Sequence, residues 1–523
     1  MPPAVPAPRG TTGSTFITLI SNTVGAGLLS LPFVIATAGL VPGALALLLT
    51  GALNCASAVL IARCCQLSGA ASYMELVGAA FGGAARARVA LLLALYTLGS
   101  CASYVVVLGD QLPSLLALVG APAGPLTSQA LLLPAAGLLV LFPLSLLRDL
   151  SSLRLTSSAS FACIAFVSLL VVGKALRGPL AAPRYLVAAA PGPGVFVGLP
   201  IALVSFTCHY NIPRFWGEFG GGGGGASPQG KLRAFCAILA ACFVLVTLCY
   251  ESVALSGYLL FGSAVAGNPA PVSPKGDILV DFGAGDAAVV VARFALVVTQ
   301  VLNFPIVFNS HRASVIALLP AAWQARLLQG AQALPAPAGG GAEAGEEAAY
   351  APLLEGGGGG GGGAAPVSLA AWARAEAPHW ALTALLVAAT VTFAVAVPNL
   401  SVILGVKGAL GATLIVYALP AAIYFVLSRR AAAAAAAAAG KGGGADEGSG
   451  EGSALVGGAD EGSGAGAQSS GGGGGGGAGG GRGSLARDLL TTPAGWLCLG
   501  FCAWAGVVMV LGMVRTLAPA ALA

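Results

Sequence analysis

Apolar windows long enough to cross about 30 Å of hydrocarbon recur about eleven times along this chain. They lie near residues 15–38, 41–64, 87–110, 129–147, 153–176, 194–212, 233–261, 286–319, 379–397, 399–428 and 494–516. In lipid a spanning segment must satisfy its own backbone N–H and C=O groups, which makes each window a helix. Charged residues make up only 8% of the 523 residues, against about 25% in a soluble domain. Polar surface is too scarce to cover a globule, so the chain reads as an all-α polytopic membrane protein of about eleven transmembrane helices.

Basic residues in the loops set the expected orientation. With the N-terminus cytosolic, seventeen Lys and Arg fall on the inner side, and the outer side keeps Lys174, Arg177, Arg184, Lys275 and Arg515. The first apolar run exceeds the length of a signal-peptide core and lacks a convincing cleavage site, so it reads as a retained span. Gly/Ala/Ser tracts at "GEFGGGGGGASPQG", between residues 332 and 365, and from 431 to about 483 bury too little apolar area to offset chain entropy and are expected to be disordered. The resulting organisation begins with a short cytosolic tail (1–14) and a core of spans one to eight (15–319). A disordered cytosolic loop (320–378) and spans nine and ten (379–428) come next. A Gly/Ala-rich disordered cytosolic loop (429–490) then precedes span eleven with the C-terminus (491–523). "YAPL" at Tyr350–Leu353 matches a tyrosine-type sorting signal. The eleven cysteines all lie in or beside apolar stretches without metal-site spacing, which points to reduced thiols. No basic block dense enough for nucleic acid occurs.

The first window is strange for a helix. "SNTVGAGLLSLPF" places Asn22, Thr23, Gly25, Ala26, Gly27 and Ser30 in otherwise oily sequence. The sixth echoes it, with Pro200, Ser205, Thr207, His209, Asn211 and Pro213. Glycines alone indicate close helix packing. Interrupted spans at corresponding positions of two halves indicate a transporter binding site. A nucleotide loop is excluded because no strand precedes the glycines. HExxH, nucleophile-elbow and P-loop motifs are also missing, so an enzyme is not expected.

"SNTVGAGLLSLPFVIATAG" resembles the opening span of the amino acid/auxin permease family, especially its sodium-coupled neutral amino acid transporters. "SYMELVGAAFG" (Ser72–Gly82), "LRDLSSLRLTSSAS" (Leu147–Ser160), "SFTCHYNIP" (Ser205–Pro213), "SGYLLFGS" (Ser256–Ser263) and "FPIVFNSHRASV" (Phe304–Val315) agree with it. The resemblance implies a LeuT-type 5+5 inverted repeat with discontinuous spans one and six, working by alternating access. It implies secondary active transport of small neutral amino acids, coupled to sodium or protons, with the lipid bilayer as the other partner. The substrate would sit on Thr23, Gly25, Ala26, Gly27, Ser205, Thr207 and His209. No cofactor is expected beyond a sodium ion. In the family a first-span asparagine and an eighth-span threonine serve sodium. Asn22 matches the first, and Asn303, with Thr299 one turn earlier, stands at the second. Plasma membrane and vacuolar or lysosomal-type membrane are both compatible.

Charges inside spans are costly and therefore functional suspects. Glu251 and Arg293 lie at similar depth in spans seven and eight, which suggests a structural ion pair, with proton coupling through Glu251 or His209 as the sharper reading. Lys407, early in span ten, is expected to snorkel outward. Alternatives to the transporter are an amino-acid-sensing receptor with the same fold, or a carrier of another amine or an auxin-like acid.

Overall fold

The computed structural model describes residues 10–118, 120–121, 124, 128–147, 154–190, 194–221, 227–262, 277–282, 286–329, 369–442 and 489–517. Tyr350–Leu353 and most of the three low-complexity tracts lie outside the described residues.

Span one is α1 (Thr12–Thr23), a 3-10 turn (Ala26–Ser30) and α2 (Leu31–Ala38); α3 (Leu40–Ser68) is span two. A short α4 (Tyr73–Phe81) leads to α5 (Gly83–Leu118), span three. Span four is α6 (Gln129–Ala136), a π-helical turn and α7 (Phe142–Ser145), and span five is α8 (Arg154–Arg177). Span six is α9 (Val195–Ser205), a 3-10 turn (His209–Asn211) and α10 (Ile212–Glu218). Span seven is α11 (Pro228–Phe261), and the short α12 (Ile278–Asp281) precedes α13 (Ala287–Ile316), span eight. After α14 (Ala321–Gln329), span nine is α15 (Leu369–Ala396). Span ten is α16 (Leu400–Val406), a π-helical stretch (Lys407–Ala418) and α17 (Leu419–Gly442), and span eleven is α18 (Pro493–Leu517).

Among the described residues nine helices are long and apolar enough to cross a membrane. A tenth span is the first, bent by 51° between its halves, and Gln129–Ser145 is a shorter apolar helix. The all-α polytopic architecture with interrupted spans one and six is thus present, and the interruptions are five spans apart. Spans three and six have 78% of their apolar windows buried inside the protein, while Ser158–Arg177 and Pro493–Val514 have 28%. α5 and α9 are therefore inner scaffold, and α8 and α18 turn most of their surface to lipid. α5 packs along α13, and α9 lies among α2, α3 and the π-helical stretch.

Three boundaries differ from expectation. The helix of span ten runs past residue 428 to Gly442, because an alanine run is the best helix former available and continues a helix already nucleated in the membrane. Span nine begins at Leu369 rather than 379. Within "GEFGGGGGGASPQG", Glu218 ends α10, and Ser227 caps α11 by accepting from the Gly230 N–H at 3.1 Å. Gly10 pairs with this region: its N–H donates to the Glu218 carbonyl at 2.9 Å, and its carbonyl accepts from Gly220 at 3.0 Å. The entry to span one is thereby tied to the exit of span six.

Candidate functional site

A capping box between Thr11 and Ser14 starts α1, and its regular ladder ends where the Val24 N–H reaches the Ile20 carbonyl at 2.8 Å. Val24 (φ −84°, ψ 104°) and Gly25 (φ −123°, ψ −152°) are extended. Two extended residues interrupt the helical ladder, so carbonyls at the end of α1 and N–H groups at the start of the 3-10 turn lose their helical partners. The sequence permits this because Gly27 faces span six without a side chain. A Cβ there would stand 2.3 Å from Ser205 Oγ and 3.0 Å from Ser205 Cα. At Gly25 a Cβ would meet the Tyr104 hydroxyl at 3.1 Å.

In span six α9 stops at Ser205, and the chain passes through Phe206, Thr207 and Cys208 before the next turn. Its hydroxyls stay local: Ser205 donates to the Ile201 carbonyl at 2.7 Å and Thr207 to Leu203 at 2.9 Å. Tyr250 of α11 joins the two breaks. Its buried hydroxyl donates to the Ser205 carbonyl at 2.8 Å, with the Thr23 carbonyl 3.3 Å away. Asn211 adds a second link, donating its amide to Asn22 Oδ1 at 3.2 Å and accepting from Ser310 of α13 at 3.3 Å.

Where the breaks face α5 lies a cavity of about 40 Å³, room for about three waters. Thr23, Gly25, Gly27, Ser205 and Thr207 line it, as does Asn22. So do residues that sequence reasoning missed: Tyr96, Ser100, Ser103 and Tyr104 from α5, Tyr210 from span six, and Lys407. Their signal was present in span three, where Tyr96, Ser100, Ser103 and Tyr104 recur at the three-to-four-residue spacing of one helix face.

Lys407 corrects an expectation. It points inward instead of snorkelling. Its stem runs past Gly99, with Cδ 3.3 Å from where a Cβ would stand. Its Nζ donates to Ser100 Oγ at 3.1 Å and lies 5.1 Å from the centre of the Tyr96 ring.

Of the other expected site residues, His209, Thr299 and Asn303 are not among those that line the cavity. The buried His209 donates from Nε2 to the Asn54 carbonyl at 3.0 Å and meets the Phe243 ring edge-on, so it braces span six against α3 and α11. Ala26 opens the 3-10 turn. Thr299 donates to the Ala295 carbonyl of its own helix at 2.8 Å, and the Asn303 amide nitrogen is buried without a hydrogen-bond partner. Asn22 accepts from Asn211 and lines the cavity, whereas Thr299 and Asn303 are not among its lining residues.

The Glu251–Arg293 ion pair is also not formed. Arg293 donates to the Leu279 and Phe282 carbonyls, both at 3.0 Å, and so fastens the loop around α12 onto α13. Glu251 is buried against the backbone of Leu48, on α3, and neither carboxylate oxygen has a well-formed hydrogen bond. Equal depth in a membrane does not fix which face of a helix a side chain occupies.

The fold and cavity define a polytopic membrane protein with a central polar site at two interrupted helices. Residues 8–440 match the family model described as transmembrane amino acid transporter protein, and the chain belongs to that family, one of transporters rather than enzymes. Sodium-coupled neutral amino acid transporter 7 of Xenopus laevis is 27% identical over 310 residues, covering 58% of this chain and 64% of that protein. Its human counterpart is 27% identical over 322 residues, covering 59% and 66%. This chain therefore matches just under two thirds of the length of these relatives. Vacuolar amino acid transporter 5 of Schizosaccharomyces pombe is 24% identical, covering 80% of this chain and 85% of that protein. A solved sodium-coupled sialic acid symporter covers 80% of this chain at 10% identity with a TM-score of 0.45, a likeness too low to bear on the site.

Proposed function

We propose that this protein is a secondary active transporter that carries small amino acids across a membrane by alternating access at the cavity between spans one and six. The observation that carries the reading is the meeting of two helix breaks around one polar space, joined by the Tyr250 hydroxyl. N–H groups at the start of a half-helix attract a carboxylate, and carbonyls released by the break suit an ammonium group. An amino acid presents both from one carbon. Because the cavity as it stands holds about three waters, loading requires its walls to separate, as an alternating-access cycle does.

Transport is coupled to sodium or protons, with Asn22 Oδ1 offering a side-chain oxygen beside the break. The N-terminus faces the cytosol, in a plasma or vacuolar-type membrane, a reading supported by the loop basic residues and by the vacuolar relative's name. Lys407 stands in the cavity as a basic group that a neutral side chain does not use.

Uptake of a radiolabelled amino acid panel into proteoliposomes, with sodium and proton gradients imposed separately, tests the reading. Accumulation above equilibrium under one of the gradients is expected. Failure of folded protein to accumulate any amino acid under both would contradict it.

A further inference from the structure

The geometry points to Lys407 as a specificity-determining residue that makes this cavity take amino acids with a carboxylate on the side chain. This inference rests on the transport reading above and names its substrate class.

Lys407 is held where it is by a built setting. It begins the π-helical stretch of span ten, a backbone form that recurs at functional positions. The missing side chain at Gly99 lets its stem lie close to α5. Ser100 and the face of Tyr96 then receive the ammonium group. A hydroxyl and a ring face leave its charge uncompensated. Among the described residues no acidic side chain lines the cavity, and no carboxylate lies within ion-pair distance of Lys407. A buried ammonium is stabilised by an anion, and here the ligand is the group that supplies it.

The position of the lysine separates a side-chain carboxylate from the one every amino acid carries. α5 serves as a ruler. Tyr104 touches the break at Gly25, and Ser100 holds Lys407; the two residues are one helical turn apart, about 6 Å along the axis. The α-ammonium and α-carboxylate share one carbon and are both served at the break. A second anionic group, placed at Lys407 rather than at the break, belongs to the side chain. An amide of the same length fills the space and reaches Ser100, but it brings no negative charge, and charge-assisted hydrogen bonds are roughly twice as strong as neutral ones.

The test compares aspartate and glutamate with asparagine, glutamine and alanine. Uptake by the full chain in proteoliposomes is measured alongside the shift in melting temperature that each amino acid produces in detergent-purified protein. The expected result is a kcat/KM for the acids at least tenfold above that of their amides. Lys407→Gln is expected to reverse this ratio, and Lys407→Arg to retain a preference for acids. An equal or better rate for amides in the unaltered protein, with matching melting shifts, overturns the inference but leaves transport standing. So does a Lys407→Gln variant that loses acids and amides in the same proportion, which would place the lysine on the α-carboxylate. Absence of both uptake and melting shifts for every amino acid would overturn the transport reading itself, and this inference with it.

Discussion

In span one the helix breaks at extended Val24 and Gly25 and turns bare backbone toward the cavity. In span six it breaks at Phe206–Cys208, and the polar side chains there close on their own helix, Ser205 to Ile201 and Thr207 to Leu203. The first break can offer unpaired groups to a ligand because glycine has no side chain to cover them. The second has its hydroxyls turned onto its own helix and its Ser205 carbonyl capped by Tyr250, and forms the wall against which the first is set. Gly27 and Ser205 mark the seam, in contact too close for any added carbon. An interruption in a membrane helix is thus not itself a ligand site; what matters is how much backbone it leaves open to the cavity.

The comparison is broken most severely at the seam. Gly27→Val forces the two breaks apart, since even its Cβ would stand within 3.0 Å of Ser205 backbone. Overpacking of this kind costs about 1–3 kcal/mol, and a 1 Å displacement of a positioned site costs about 100-fold in rate. Uptake should fall by about that factor in protein that is still folded by circular dichroism; unchanged uptake would show that the breaks need not touch.

A smaller effect is expected from Tyr250→Phe, which removes the hydroxyl shared by the Ser205 and Thr23 carbonyls and keeps the ring packed on Phe206. Leaving a buried acceptor unsatisfied costs about 1–3 kcal/mol. A lower melting temperature and about tenfold weaker uptake should follow. A phenylalanine variant equal to the parent in both would remove the bridge from the account.

The smallest effect lies outside the spans. Asp277 accepts from Gln111 at 2.6 Å at the start of the α12 loop. Burial, then the nearby Asp110 carboxylate, pushes it up to about 7, and burial alone does the same for Asp281. A folded-state value above the ordinary 3.8 means the packed loop favours the protonated acid. The loop's stability is then fullest below about pH 4 and falls as pH rises through 7. Hydrogen exchange over residues 277–282, corrected for intrinsic rates, should be slower at pH 5 than at pH 8. Asp277→Asn should flatten that difference; an unchanged difference would move the effect to other groups.

The spans were legible because lipid demands a long apolar helix, and each of the expected windows carries helix. The first break was legible too, since Gly25, Gly27 and Asn22 are out of place in an oily run. What could not be read depends on which way a side chain turns. Lys407 at the start of a span looks like any interfacial lysine until Gly99, some three hundred residues earlier, is found beside it. Glu251 and Arg293 share a depth but not a face. His209, Asn22 and Asn211 are all polar residues near a break, and only packing decides that Asn22 lines the cavity and His209 braces α3. The alanine run after residue 430 was read by composition as disorder, although its helix propensity made it an extension of α17.

The central claim is that an amino acid binds where the two breaks meet. A cryo-EM map of the full chain with saturating glutamate tests it most directly. The account predicts density bridging the Gly25–Gly27 backbone and Lys407, enclosed by Tyr104 and Ser205. Bound glutamate located elsewhere, with this cavity still closed, would contradict it.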